Sequence, residues 1–492
     1  MHHRKKTIVI LSIILLIATG IRFGAIGDGR FDQETVRDYT ISKEILNGDL
    51  RIEGIKAKAD QESTQQSLGP AYYYLIALGL WLHDPLGPYY IIALLNTITI
   101  AITFFFVKEF FNERTAIITT VLMAIAPWFA FVIGINVTTP HFITPFVIIY
   151  MYALYKVAIK KQDNFLILAA ASFAFMTQFH LSTLWLLAVG LTIVVYTRRD
   201  IFTKKQFFYA IITISLLYLP FMIHNTIHNS WSQFFTFLSG GYEISFWQNV
   251  LEVLGMTPMV TTSYFGGYML GQTQVGLQLM QIFFHITTGI LVFLFGLGVL
   301  YCIQQKEKRY TLLLIWLLIP VILFMMRAKN TSPHYLYILL PVQCIIIAII
   351  LEKYVKRKKL LTTILIAIII FSHSLFLITF HNTIKEQGGT QGLWQISYNA
   401  KAQVVKEIKK DQTILWYKNP DRGVDYLLKK EGRKTKEIQT FKELERTKGT
   451  LILERFSLYS YGRNHFTEEE HEFFNTKQKT QSGPYEIIHF PQ

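Results

Sequence analysis

The chain has 492 residues, of which 51% are hydrophobic and 16% charged, where a soluble domain carries about a quarter charged residues. Its formal charge of +15 does not mark a nucleic-acid surface. The lysines and arginines sit in short clusters between apolar runs, as in the positive-inside pattern, and not in one stripe interleaved with aromatics. The two cysteines, Cys302 and Cys344, both lie in apolar segments, which argues against a disulfide framework or a thiolate metal site.

In chain order, Met1–Lys6 is basic and leads into the apolar run Thr7–Ile21. No small-x-small cleavage site precedes the polar loop, so this is expected to be an uncleaved first span with its N-terminus inside. Further apolar runs have the length of about 17–25 residues that a helix needs to cross a bilayer. They must be helical because no water is present there to satisfy the backbone. The segment Ala71–His83 is apolar but short. If it spanned, the clusters Lys156/Lys160/Lys161, Arg198/Arg199/Lys204/Lys205, Lys306/Lys308/Arg309 and Lys353–Lys359 would all fall outside, against the positive-inside rule. It is therefore assigned to the outer interface, with Tyr72, Tyr73, Tyr74 and Trp81 at headgroup level.

The result is an all-α polytopic membrane protein of about eleven spans, at roughly 7–23, 88–107, 116–133, 142–158, 164–179, 181–197, 206–222, 279–303, 311–326, 335–351 and 360–380. Two long outer loops are expected at about 24–87 and 223–278. Residues 1–380 form the membrane domain. The tail 381–492 is soluble in composition and is expected to be a small extracytoplasmic α/β module. In it, Thr413–Tyr417, Thr450–Glu454 and Tyr485–Phe490 read as strands, and Val424–Lys430 and Phe441–Lys448 as helices.

Four features carry candidate chemistry. In the first outer loop, Phe31–Leu46 has helical spacing, which puts Glu34 and Asp38 on one face with Arg37 beside them. A carboxylate next to an arginine can take a proton while the guanidinium holds a phosphate. The same pattern also suits a salt-bridged surface helix. Next, His141, His180, His224, His228 and His334 all fall at expected outer ends of spans. His224 and His228 have the i, i+4 spacing of metal ligands, and interfacial histidines with ordinary hydrogen bonds fit equally. Third, Arg327 and Lys329 break the charge rule on the outer side, which points to a lipid phosphate or to snorkelling towards headgroups. Asn136, Gln178 and Asn225 add hydrogen-bonding capacity on that face. Finally, the 223–278 loop contains no lysine or arginine and is rich in glycine and aromatics, suited to stacking on sugar rings or to interfacial packing. The P-loop, zinc-protease and G-x-S-x-G motifs are all missing from the sequence, so nucleotide-driven chemistry is not indicated.

Several stretches resemble the GT-C fold bacterial glycosyltransferases related to protein O-mannosyltransferases and the lipid A aminoarabinose transferase. Phe31-Asp32-Gln33-Glu34 with Arg37-Asp38 is similar to the acidic motif after that group's first span, with Gln33 where many relatives have Glu. Leu68–Leu75 resembles its Gly-Pro-x-Tyr-Tyr-Tyr stretch, and Asn136–Pro145 its Asn-Pro-x-x-x-Pro turn. Gln178–Leu181 and Pro333-His334-Tyr335 match further short stretches. The likeness covers residues 7–380 in order and leaves out the tail. It implies inverting transfer of a sugar from a polyprenyl-phosphate donor to a hydroxyl acceptor (an envelope glycan, lipid or protein) at the outer face. It also implies Asp32 as base, with Asp38 the substitute and Glu34 beside them, and a divalent metal ion (Mg, Mn or Zn) near the donor phosphate. Arg37, Arg327 and Lys329 are the expected phosphate ligands, and His224 and His228 the metal candidates. His180, His334, Tyr335, Asn136 and His141 complete the candidate set. An envelope polysaccharide polymerase or ligase would usually carry its catalytic loop later in the chain. A secondary transporter would need paired broken helices and polar groups at the midplane.

Overall fold

The structure, a computed structural model, describes residues 2–55, 68–228, 231, 245–262, 278–326, 331–390, 395–417, 421–454 and 467–490. The chain forms two compact units. The first comprises Met1–Gly24, Ser42–Tyr264 and Leu279–Leu375; the second comprises Ala25–Ile41, Phe265–Gln278 and Phe376–Gln492.

Among the described residues, eight helices are long and apolar enough to cross a membrane: Lys5–Gly24, Gly87–Phe110, Thr139–Ala158, Lys205–Ile227, Gln281–Gln304, Lys308–Met326, Pro333–Val355 and Lys359–Gln387. A ninth is added if Glu113–Ile125 and Trp128–Ile135, which meet at 65°, are taken as one span. Phe165–Phe179 and Leu181–Thr197 occupy the remaining two expected segments but are shorter. At 1.5 Å per residue, the 15 residues of Phe165–Phe179 cover about 22 Å. Ala71–Leu82, with 12 residues, is shorter still.

The 65° bend has a local cause. Pro127 cannot donate a backbone hydrogen bond and ends the helix at Ile125, and the chain resumes as a π-helical turn over Trp128–Val132. A broken helix in an apolar setting needs donors for its freed carbonyls, and Arg22 provides them. It is fully buried at the end of the first helix and donates to the carbonyls of Ala18 at 3.1 Å, Ala124 at 3.3 Å and Phe129 at 3.4 Å. Its guanidinium also lies 5.0 Å from the Phe129 ring centre. Elsewhere small residues allow close helix packing. A Cβ on Gly190 would come within 2.0 Å of the Tyr150 hydroxyl, which donates to Leu186 O at 2.8 Å.

In the second unit, a five-stranded sheet runs in the order β2-β1-β3-β5-β4. Its strands are β1 Ile414–Tyr417, β2 Thr435–Ile438, β3 Gly449–Glu454, β4 Lys479–Ser482 and β5 Tyr485–Phe490. β1 pairs in parallel with β2 and β3, whereas β5 runs antiparallel to β3 and β4. Leu415, Leu451, Ile488, Leu444 and Phe474 belong to its apolar core. β2 and β4 were not expected from the sequence. Both are edge strands with mostly polar, exposed residues, so they lack the apolar alternation that identifies a half-buried strand. The helices Tyr398–Glu407 and Glu468–Thr476 were not expected either.

Candidate active site

The acidic segment belongs to the second unit. Gly29–Phe31 pairs antiparallel with Ile396–Tyr398: Tyr398 N donates to Gly29 O at 2.9 Å, Phe31 N to Ile396 O at 3.4 Å, and Arg30 bridges Ser397. The helix expected over Phe31–Leu46 runs from Gln33 to Leu46. Asp32 precedes it and accepts from Thr35 N at 2.9 Å and Thr35 Oγ1 at 3.0 Å, as a helix N-cap does. Arg30 forms an ion pair with Asp32 and lies 3.7 Å from Glu34. Burial alone would raise the Asp32 pKa, but the Arg30 charge and the Thr35 hydrogen bonds outweigh it and hold the carboxyl below its ordinary value. Arg37 faces its neighbour Asp38 at 2.8 Å, and the Asp38 side chain is buried.

Two residues around this segment were not candidates from the sequence. One is Arg30, whose role depends on the turn that brings it back over Asp32. The other is Asp28, which is buried and meets His381 Nδ1 at 2.5 Å. Burial pushes the Asp28 pKa up, and the His381 charge and hydrogen bond offset only part of that.

In the first unit, residues far apart in sequence converge. The rings of His180 and His334 lie 5.2 Å apart, and Tyr335 is 5.4 Å from His180. Ser182 N donates to His180 Nδ1 at 3.2 Å, so the ring proton sits on Nε2. His334 Nδ1 lies 2.6 Å from Ser332 Oγ. Asn136 and His141 also meet: His141 Nδ1 donates to Asn136 O at 2.8 Å, which leaves Nε2 facing the Tyr337 hydroxyl at 3.5 Å. Tyr337 and His334 share the short 3-10 helix Pro333–Leu339, so one turn serves both pairs. Gln178 Nε2 donates to Leu217 O at 3.0 Å, and Ala71 N donates to Gln178 Oε1 at 3.4 Å, which ties the Gly69-Pro70-Ala71 turn to this region.

The rings of His224 and His228 are 4.5 Å apart. The sequence did not single out Glu53, whose carboxylate lies 3.7 Å from His224 Nδ1. That gap is too long for a hydrogen bond and is near the spacing of two ligands on one ion. Arg51 holds the other side of Glu53 at 3.2 Å. Among the described residues, no three His, Cys, Asp or Glu side chains group so as to hold a metal, so the donor set fits an ion only in part. Arg327 and Lys329 lie outside the described residues. The flanks of that stretch are held by buried Asn249, which donates to Phe324 O at 2.8 Å and Met325 O at 2.9 Å and accepts from Thr331 Oγ1 at 3.1 Å.

Comparison with known proteins agrees with this architecture. The sequence model of the dolichyl-phosphate-mannose-protein mannosyltransferase family matches residues 67–224. No curated protein sequence matches the chain. Among solved structures, apo ArnT from Cupriavidus metallidurans aligns over 100% of both chains, with a TM-score of 0.62 at 9% identity. ArnT bound to undecaprenyl phosphate aligns over 99% of both chains, with a TM-score of 0.58 at 12% identity. The archaeal oligosaccharyltransferase AglB from Archaeoglobus fulgidus, in complex with an inhibitory peptide and a dolichol-phosphate, has a TM-score of 0.54 at 12% identity and is matched over 99% of this chain and 74% of its own. The chain is thus a polytopic membrane protein with the GT-C fold of membrane glycosyltransferases.

Proposed function

We propose that this chain is a glycosyltransferase that moves a sugar from a polyprenyl-phosphate donor to a hydroxyl on an envelope glycan, lipid or protein. The reaction takes place at the extracytoplasmic face, with the N-terminus cytoplasmic and the tail domain outside. One observation carries the reading: on a GT-C fold, the segment just after the first span holds a carboxylate, Asp32, that stays ionised under an arginine and two hydrogen bonds. The structures with undecaprenyl phosphate and dolichol-phosphate bound on this fold support the donor class.

In the reaction, the acceptor oxygen attacks the anomeric carbon and the bond from that carbon to the phosphate oxygen breaks, with inversion. Asp32 takes the hydroxyl proton, and polyprenyl phosphate departs carrying the bonding electron pair. Arg37, Arg327 and Lys329 supply the positive charge that stabilises the leaving phosphate. His180, His334 and Tyr335 are the further candidates for contact with the donor, through ring edges and the His180 Nε2 proton. The described residues around His224 and His228 do not make up a metal site, so no step is assigned to a divalent ion.

The test is turnover of purified protein with a panel of undecaprenyl-phosphate hexoses, read as release of undecaprenyl phosphate. Asp32→Asn is expected to abolish release. Full activity in both Asp32→Asn and Asp38→Asn would overturn the assigned base, and flux of free solute without release would overturn transfer itself.

A further inference from the structure

The sequence assigns no role to the tail domain. Its sheet has the local order β2-β1-β3 with all three strands parallel. In open α/β sheets of this kind, ligands bind outside the carboxyl ends of the strands, where the order reverses. Here the helix that follows β1 is Arg422–Lys430, capped by Asp421, and it is the protein's own first loop that lies against it. A Cβ on Gly423 would sit 2.5 Å from the carbonyl oxygen of Phe31 and 2.8 Å from Lys401 Cδ, so only glycine allows this approach.

The Phe31 ring is fully buried and stands edge-on to three tyrosines: Tyr39 at 5.7 Å, Tyr398 at 5.6 Å and Tyr426 at 5.7 Å. Its backbone is paired to Ile396. Asp421 anchors the far side of the clamp. It accepts from Lys401 Nζ at 2.7 and 2.8 Å, from Tyr485 Oη at 2.6 Å, and from Gly423 N and Val424 N. The contacts to Phe31 fall on the residue next to Asp32.

We infer that the tail domain is a positioning device for the catalytic loop: Tyr426, Tyr398 and Gly423 grip Phe31 and thereby fix Asp32 in its contact with Arg30 and Thr35. Tyr426 and Gly423 are positioning residues and do not touch substrate. The inference rests on Asp32 being the base. The sequence separation, about 390 residues, is why no local pattern reveals the clamp.

The test uses the full-length protein and two readouts. The first is amide hydrogen exchange at Phe31 and Thr35, which needs no turnover. Tyr426→Ala and, independently, Gly423→Ala are expected to speed exchange there about tenfold while β1 and β3 keep their protection. The second is the turnover assay with undecaprenyl-phosphate hexoses. The same variants are expected to lose about 10- to 100-fold in kcat with little change in donor KM, because the base is displaced rather than the donor site. Their acid limb should move to higher pH, since Asp32 loses the contacts that hold its pKa down. Tyr426→Phe keeps the ring and should restore kcat and the acid limb. Exchange at Phe31 and Thr35 unchanged in both variants overturns the clamp. Faster exchange with wild-type kcat and acid limb overturns positioning. If Asp32→Asn is itself fully active, the reading of Asp32 as base fails, while the exchange result still decides whether the tail holds the loop.

Discussion

The candidate residues of the two units have different polar surroundings. In the first unit, Arg22 is held by backbone carbonyls and an aromatic face, and the candidate histidines His141, His180 and His334 meet hydroxyls, carbonyls and tyrosines. Around the acidic segment and the tail helix of the second unit, cations meet carboxylates: Arg30 with Asp32 and Lys401 with Asp421. A helix bundle in lipid has spare carbonyls wherever a helix breaks, whereas a domain in water can afford carboxylates and cations and place them in exact opposition. The proposed proton acceptor, Asp32, lies among ion pairs in the second unit, and the proposed donor contacts His180 and His334 belong to the first.

That division of labour can be broken experimentally. Its largest expected effect is at Asp32: Asp32→Asn should cost about 10²- to 10⁴-fold in turnover, as removal of a general base does. His180→Ala, which removes a ring edge and one neutral donor, should cost about tenfold. Equal losses at the two positions would erase the distinction. Next in size is Arg22→Met, which leaves the Ala124 and Phe129 carbonyls without their donor and should destabilise the fold by about 2–4 kcal/mol, read as thermal unfolding in detergent. Arg22→Lys should recover only part of that, because one ammonium cannot reach three carbonyls in the geometry of a planar fork. Asn249→Leu removes two donors and one acceptor beside the 327–330 stretch and should cost about 1–3 kcal/mol, with a raised KM for donor if that stretch holds the phosphate.

The smallest effect sharpens the picture of the tail domain. Burial, and then the nearby Asp421 charge, push the Glu454 pKa up to about 7, with Lys401 opposing. An unfolded glutamate titrates near 4.3, so between about pH 4.5 and 7 the folded state binds more protons and stability falls as pH rises. Glu454→Gln should therefore raise the unfolding temperature by a few degrees at pH 8 and have little effect at pH 5.

Much of the membrane part was legible beforehand. Each of the eleven expected segments is helical in the structure, and His224 and His228 adjoin as their i, i+4 spacing required. Motif order also led to the right fold, because Leu68–Leu75, Asn136–Pro145, Gln178–Leu181 and Pro333–Tyr335 are local stretches that survive in sequence. The acidic helix was placed correctly over Gln33–Leu46, yet its ion pairs were not. Arg37 pairs with the adjacent Asp38, and Arg30 takes Asp32 and Glu34, because the residues before the helix turn back rather than continue it. The polar edge strands Thr435–Ile438 and Lys479–Ser482 were missed for want of an apolar face.

Sequence alone determined where the apolar helices lie, since the thickness of a bilayer sets a minimum apolar length. It also determined the core strands of the tail, short apolar runs that are buried almost throughout. Tertiary structure alone decided that Arg22 caps a broken helix, that His180 meets His334, that Glu53 approaches His224 and that Phe31 lies against Tyr426. These are contacts between residues distant along the chain, and no local periodicity encodes them; each exists because folding leaves a carbonyl, a ring or a carboxylate that only a remote partner can satisfy.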